Sequence, residues 1–376
     1  MEEKLLIKNK QTLAILVNGQ HKVMGTFSKG YIEHLPYKKV VLFGGLIPIF
    51  KVGTPKWKQK LIRYWLTLLA LKNPQKIEQL KIKRLTNILK REKIDIALCE
   101  FLNTAASAMP ACKNANIAMI SNVLGYEIND RTVIERFKEK YKALAKYQAH
   151  TIPVAKDMIP KLVELGFNDS DITYSPIGPT EDFFKISPNY KSQQFIAIGR
   201  FCETKAPHNT ILAFNKASQV FPDAKLVMAG TGELMGQCLQ LVEQLNIKDK
   251  VTFVGWINKE QQKQLLSESM AFVQHSVTAK NGDREGTPVA ILEASAAALP
   301  IISTLHAGIP DTVANNVTGF LSKENDWESM GDHMIQLLSN KNLCLEMGEK
   351  GKKLVKENFS EKQHLHIITN IIQSII

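Results

Sequence analysis

Glu285 and Glu293 stand eight residues apart in Glu285-Gly-Thr-Pro-Val-Ala-Ile-Leu-Glu293, and the run continues Ala-Ser-Ala-Ala-Ala-Leu-Pro300-Ile-Ile-Ser-Thr304. These residue types read as a loop carrying one carboxylate, a helix carrying the second, and then a buried strand. Two carboxylates so placed can accept hydrogen bonds from two hydroxyl-rich parts of one ligand. Upstream, Phe195-Ile-Ala-Ile-Gly199 ends an apolar run at a glycine, and Arg200 and Lys205 follow it, five residues apart. At the carboxyl edge of a sheet such a pair can clamp a diphosphate, Arg by its fork and Lys as a point charge. Lys225-Leu-Val-Met-Ala-Gly230-Thr231-Gly232-Glu-Leu-Met-Gly236 makes a tight strand-to-helix turn. Its spacing is G-x-G-x3-G, and no acidic residue closes a strand at the expected distance downstream, so it is not a dinucleotide fingerprint.

The remaining polar residues carry less. His364 and His366 are two apart, which on a helix aims them at different faces, and His275 reads as a packed strand-end histidine. The five cysteines at 99, 112, 202, 238 and 344 are dispersed, with no Cys-x-x-Cys, so neither a metal knuckle nor a disulfide framework is expected. No Gly-x-Ser-x-Gly occurs, which leaves serine hydrolysis without a foothold.

Short apolar runs must hold these residues in place. In the first half they are Leu13–Gly19, Val40–Gly45, Asp95–Glu100, Ala118–Ser121 and Ala149–Pro153; in the second, Phe195–Gly199, Lys225–Gly230, Val251–Gly255, Ala271–Gln274, Pro300–Ser303 and Gly319–Ser322. Segments with helical periodicity, such as Lys76 to Arg91, separate them. Strands this apolar need cover on both faces, which parallel sheets with flanking helices provide. The expected fold class is therefore α/β, two Rossmann-like doubly wound parallel-sheet domains facing a cleft. The turn-rich Lys185–Gln194 stretch divides domain 1–187 from domain 188–357, and a last helix, 358–376, packs back on the first.

A chain of 376 residues with 44% apolar content is long enough for two cores. The charged start Met1-Glu-Glu-Lys does not read as a signal peptide, and no apolar run reaches the ~18 residues of a spanning helix, so a cytoplasmic protein is expected. The net charge of +12 is concentrated: residues 51–93 hold thirteen Lys/Arg against two Glu. There Pro55-Lys-Trp-Lys-Gln-Lys-Leu-Ile-Arg-Tyr-Trp-Leu mixes basic and aromatic residues, the footprint of a helix on an anionic membrane surface or of a packing helix with a solvated basic face. No nucleic-acid module accompanies the charge, and no nucleic-acid partner is expected.

Taken together, Gly199-Arg200…Lys205, Gly230-Thr231-Gly232, Val251-Thr-Phe-Val254-Gly255, Glu285…Glu293, Ala307-Gly-Ile-Pro-Asp311 and Asn315-Asn-Val-Thr-Gly resemble the retaining GT-B glycosyltransferases with an E-x7-E signature, the group 1 family of bacterial polysaccharide biosynthesis. The resemblance is dense from about residue 195 to 322. It implies a nucleotide-sugar donor, UDP- or GDP-linked, and a saccharide or lipid-linked saccharide acceptor, with no cofactor and no metal. Arg200 and Lys205 would stabilise the leaving diphosphate, and Glu285 would contact donor-sugar hydroxyls. The amides of Gly286 and Thr287 would face the diphosphate, and Glu293 would accept from the ribose hydroxyls. Gly199, Gly230, Thr231 and the backbone at Val254 would complete the donor site.

The first half resembles the family less closely. Gly25-Thr26-Phe-Ser-Lys-Gly looks like the family's first loop and helix, and Ile117–Glu127 like its Phe-His-Gly-Tyr-Asp segment. Leu124 stands in the place of that histidine and Glu127 in the place of the aspartate, which makes Gly25, Thr26, Asn122 and Leu124 the acceptor or cleft candidates, with Glu100 a further polar group. The missing histidine admits an alternative, a nucleotide-sugar binding protein with lost or weak transfer activity.

Overall fold

The computed structural model describes residues 11–19, 26–72 and 74–376. Six strands form the first sheet: β1 (Thr12–Leu16), β2 (Lys38–Phe43), β3 (Phe50–Lys51), β4 (Ile96–Cys99), β5 (Ala118–Val123) and β6 (His150–Pro153). Six more form the second: β7 (Gln194–Ile198), β8 (Lys225–Ala229), β9 (Val251–Gly255), β10 (Ala271–Val273), β11 (Ile301–Thr304) and β12 (Gly319–Ser322). The orders are β3-β2-β1-β4-β5-β6 and β12-β11-β10-β7-β8-β9, parallel throughout except for β3, which runs antiparallel to β2. This two-sheet α/β architecture is the GT-B fold. All eleven expected runs are strands within a few residues. The unexpected one, β3, is a two-residue edge too short to leave a periodic signal.

The inner strands β1, β4, β10 and β11 are buried at every position, which covers both faces at the centre of each sheet. On β1, Ala14 and Leu16 face a layer with Leu85, Leu89 and Ala105, while Leu13 and Ile15 face Tyr31, Leu35, Ile368 and Ile372. Full burial of a Leu or Ile side chain contributes roughly 1.5–3 kcal/mol, so these layers dominate the stability of the first domain. Ile368 and Ile372 belong to the last helix, Glu361–Ile375, which therefore closes the first domain although the chain has already built the second. The two crossovers meet where the Glu361 N–H donates to the Pro179 carbonyl at 3.1 Å.

Both strand orders reverse once, between β1 and β4 and between β7 and β10. At such a reversal the flanking connections leave on opposite sides and open a crevice at the carboxyl ends of the strands, the usual ligand position in doubly wound sheets. Among the described residues no helix is long and apolar enough to cross a membrane.

Candidate active site

The crevice of the second sheet is lined by Gly199, Arg200, Lys205, Thr210, Ala229 and Gln274, around a depression of ≈ 290 Å³. Backbone bonds knit its floor: Gly199 N–H to the Ala229 carbonyl at 3.0 Å, Phe201 N–H to the Thr231 carbonyl at 3.0 Å, and Gly230 N–H to the Gly255 carbonyl at 2.7 Å. The last bond sets the position of Val254, which is 38% exposed beside Gly255. Gly230 has φ +133°, and a Cβ there would lie 1.9 Å from the Gly199 carbonyl oxygen, so only glycine fits. After Arg200, which is exposed, the chain makes the 3-10 turn Glu203–Lys205 and enters the helix Pro207–Val220 with proline in its first turn. This turn lays the Lys205 stem across Gly199, where an added Cβ would be 3.5 Å from the lysine carbons.

Lys205 Nζ reaches Glu285 Oε1 at 3.0 Å, with both side chains mostly buried. The predicted cation and the predicted carboxylate are thus brought together although eighty positions separate them in the chain. The Glu285 backbone is fixed separately. Its N–H donates to His306 Nε2 at 3.1 Å, and His306 Nδ1 lies 2.6 Å from Glu324 Oε1. A nitrogen that accepts from an amide carries no proton, so the imidazole is neutral and donates from Nδ1 to the carboxylate. Burial agrees, holding His306 below the usual histidine range against the opposing pull of Glu324. Burial works against the Glu324 carboxylate too, but its bonds to His306 and Thr278 outweigh that and hold it below the usual range.

The Glu285 loop also meets the first domain. A Cβ on Gly286 would lie 2.4 Å from the Leu124 carbonyl oxygen, so this glycine permits the close approach of the two loops. The Thr287 hydroxyl donates to the Val154 carbonyl at 2.5 Å, Arg284 pairs with Asp157 at 2.8 Å, and Asn281 donates to Asp130 at 2.7 Å. On the first-domain side, Glu127 is fully buried, and its carboxylate accepts from Leu124 N–H at 2.8 Å and Gly125 N–H at 3.0 Å. Burial pushes its pKa up to about 7, while those two donors pull against the rise. Glu127 therefore shapes the loop that touches Gly286, and Leu124 contributes its backbone there while its side chain packs on the first core.

Residues 179–354 match the protein-family model Glycosyl transferases group 1. The carboxyl-terminal half is a group 1 glycosyl transferase domain. Over 216 residues the chain is 28% identical to the amylovoran biosynthesis glycosyltransferase AmsK of Erwinia amylovora, covering 57% of this chain and 53% of that protein. It is also 28% identical over 215 residues to the putative colanic acid biosynthesis glycosyltransferase WcaL of Escherichia coli (strain K12), covering 56% and 52%. The chain thus spans about half the length of these relatives. The structure of Anabaena HepE in complex with UDP and glucose superposes with a TM-score of 0.74 at 13% identity, covering 97% of this chain and 100% of that one, a likeness of fold.

Within the group 1 domain the second glutamate lies apart from the first. Glu293 sits on the helix Val289–Ala296, 7% exposed, with Gln262 Nε2 donating to Oε2 at 2.6 Å. It lines a separate depression of ≈ 300 Å³ with Thr180, Lys259 and Val289, and burial raises its pKa against the pull of Gln262 and Lys259. Asn122 needs correction as a cleft candidate. It is fully buried and donates to Tyr31 Oη at 3.0 Å; Tyr31 meets His364 Nε2 at 2.8 Å, and His364 Nδ1 meets Ser175 Oγ at 2.7 Å. A polar side chain without surface must find its partners inside, so Asn122 belongs to the anchor of the last helix. Gly25 lies outside the described residues, and Thr26 opens the helix Thr26–His34. His275 is packed, accepting from Asn325 N–H at 2.9 Å on Nε2.

Among the described residues no group of three or more His, Cys, Asp or Glu is arranged to hold a metal ion. The Asp-x-Asp at Asp169-Ser170-Asp171 is a 3-10 turn whose polar groups bond one another and Asn168. His306 and Glu324 join the candidate site through a contact to the Glu285 backbone that residue spacing does not disclose. The signal available for His306 was its position directly after β11, at the carboxyl edge of the sheet.

Proposed function

We propose that the protein is a retaining, metal-independent glycosyltransferase of polysaccharide assembly. In this reading it moves a hexose from a UDP- or GDP-linked donor to a saccharide or lipid-linked saccharide. The observation that carries this reading is the Lys205–Glu285 pair at the β7/β10 crevice, in a loop that abuts the first domain. The second domain, 188–357, holds the donor and the first, 1–187, the acceptor. Arg200 and Lys205 face the charge that grows on the departing diphosphate, where preorganised cations in a partly dry crevice act most strongly. Donor binding replaces part of the Lys205–Glu285 contact, freeing Glu285 for sugar hydroxyls while its backbone stays pinned to His306. Gly286 and Thr287, just ahead of the Val289–Ala296 helix, present that helix end to the diphosphate. The HepE complex, which contains UDP and glucose, supports a uridine donor. The basic segment 51–93 meets an anionic membrane surface on the cytoplasmic side, where a lipid-linked acceptor is found.

The experiment is a transfer assay with UDP- and GDP-hexoses in the presence of EDTA, with the anomeric configuration of the product read by NMR. Retained configuration and full activity in EDTA are expected. Inversion, or loss of activity in EDTA, overturns the corresponding part of the proposal. Leu124 at the position of the family's histidine favours one second reading, a nucleotide-sugar binding protein, for which donor binds and no product forms.

A further inference from the structure

The helix Lys56–Lys72 carries apolar side chains both toward the first core and toward solvent. Ile62 and Leu66 pack on the first core. Trp57, Leu61, Tyr64, Trp65 and Leu68 are instead exposed, three of them by more than half of their surface. At ~100° per residue these five fall within roughly a 100° arc pointing away from the body. Lys58 borders the arc on one side and Lys56 and Lys60 on the other, and all three are exposed. A soluble helix gains nothing from showing water two tryptophans between cations. A helix lying at a bilayer surface gains from both, because the rings enter the headgroup layer and the lysines meet its negative charge.

Beside this helix lies a depression of ≈ 720 Å³, bounded by the next helix, Pro74–Arg91, and by the β2–β3 connection. Its walls are Ile49, Phe50, Leu66 and Ile77, and its two cations are Arg63 and Lys81. The Arg63 guanidinium carbon stands 5.2 Å from the centre of the Phe50 ring, which holds the cation at the apolar wall. Gly44, at the carboxyl end of β2, lines the same depression, and its N–H donates to the Gly19 carbonyl at 3.0 Å in the loop after β1. The depression therefore reaches the carboxyl end of β2, beside the loop that follows β1.

We infer that this depression is a binding site for a phosphate-headed lipid, with the phosphate at Arg63 and Lys81 and the chain along Ile49, Leu66 and Ile77, and that the Trp57–Leu68 face carries the protein onto the anionic bilayer that supplies it. The inference deepens the membrane contact proposed above and does not depend on the transfer chemistry. The excess of eleven positive charges over residues 51–93 selects an anionic lipid surface as the occupant.

Two measurements test it on the full chain. In the first, the protein is co-sedimented with vesicles of phosphatidylcholine alone or mixed with phosphatidylglycerol. Sedimentation with the anionic vesicles is expected, reduced at least ~10-fold in apparent affinity in a Trp57→Ser, Trp65→Ser double variant whose UDP and GDP binding matches the parent. Equal binding to both vesicles, no binding to either, or no effect of the tryptophans overturns the membrane face. In the second, thermal unfolding is followed with dihexanoyl phosphatidic acid below its micelle concentration and, separately, with inorganic phosphate. Stabilisation by the lipid alone, abolished in an Arg63→Ala, Lys81→Ala double variant, is expected. Equal stabilisation by phosphate makes the depression a plain anion site, and no stabilisation removes the site altogether. Because nucleotide binding is read in parallel, failure here is distinguishable from failure of the donor site.

Discussion

Replacing Lys205 with alanine removes one charge from the crevice and leaves its backbone intact, since Lys205 closes a 3-10 turn and its stem rests on Gly199 without supporting either core. Two unit charges 3.0 Å apart, the Lys205–Glu285 separation, attract by roughly 5–6 kcal/mol at an effective dielectric near 20, a gross value from which desolvation must be subtracted. A diphosphate oxygen taking the place of Glu285 meets the same field in the ground state and a stronger one as negative charge accumulates on it. Loss of a single preorganised donor of this kind typically costs about 2.7–4 kcal/mol in the transition state, or ~10²–10³ in kcat. Lys205→Ala should therefore lower kcat by ~10²–10³ while weakening UDP or GDP binding by less than ~10-fold. Lys205→Arg, which keeps the charge, should recover part of the rate. The assay is steady-state transfer alongside calorimetric nucleotide titration, with circular dichroism to verify the fold. Equal losses in kcat and in nucleotide affinity would refute the charge-stabilising role, because they describe uniform binding.

Four further outcomes follow from the same geometry. His306→Leu leaves the Glu285 N–H without its acceptor and Glu324 without its imidazole partner, so stability should fall by about 1–3 kcal/mol in thermal unfolding, and kcat/KM should fall with it as the Glu285 loop loses its anchor. Glu127→Gln sets an amide NH₂ against one of the two N–H donors at Leu124 and Gly125, and should destabilise the protein by ~1–3 kcal/mol in urea unfolding. Gly230→Ala places a Cβ on the Gly199 carbonyl at positive φ and should cost at least ~3 kcal/mol in the same assay. His364 is held down to about 4 by burial, so between pH ~6.5 and 4 the unfolded chain binds the proton that the native state refuses. Its contribution, of order 3 kcal/mol, is present above pH ~6.5 and is lost as the pH falls toward 4, so thermal unfolding temperature should drop over that window and drop less in His364→Asn.

The strands were legible because both faces of each sheet are covered, which makes a strand a short unbroken apolar run. The antiparallel edge Phe50–Lys51 was not, because two residues carry no period. Arg200, Lys205 and Glu285 were candidates in the chain because they stand near strand and helix ends, and the fold brings Lys205 to Glu285. Asn122 was misplaced for a physical reason: an asparagine near the end of a strand looks the same in sequence whether it faces a crevice or a buried tyrosine. Its partner Tyr31 meets His364 from the last helix, which returns from the far end of the chain, and no spacing rule links the three. His306 and Glu324 escaped for a related cause, since they act by holding a backbone N–H whose bonding partner only the folded loop reveals.

The central claim is that the β7/β10 crevice holds the nucleoside diphosphate of a sugar donor. Calorimetric titration of UDP and GDP in EDTA, on the parent protein and on Arg200→Ala, tests it most directly. Binding of one of the two nucleotides, weakened at least ~10-fold in the variant, is the predicted result. Absence of binding by either nucleotide, or binding that the variant leaves unchanged, would contradict the account.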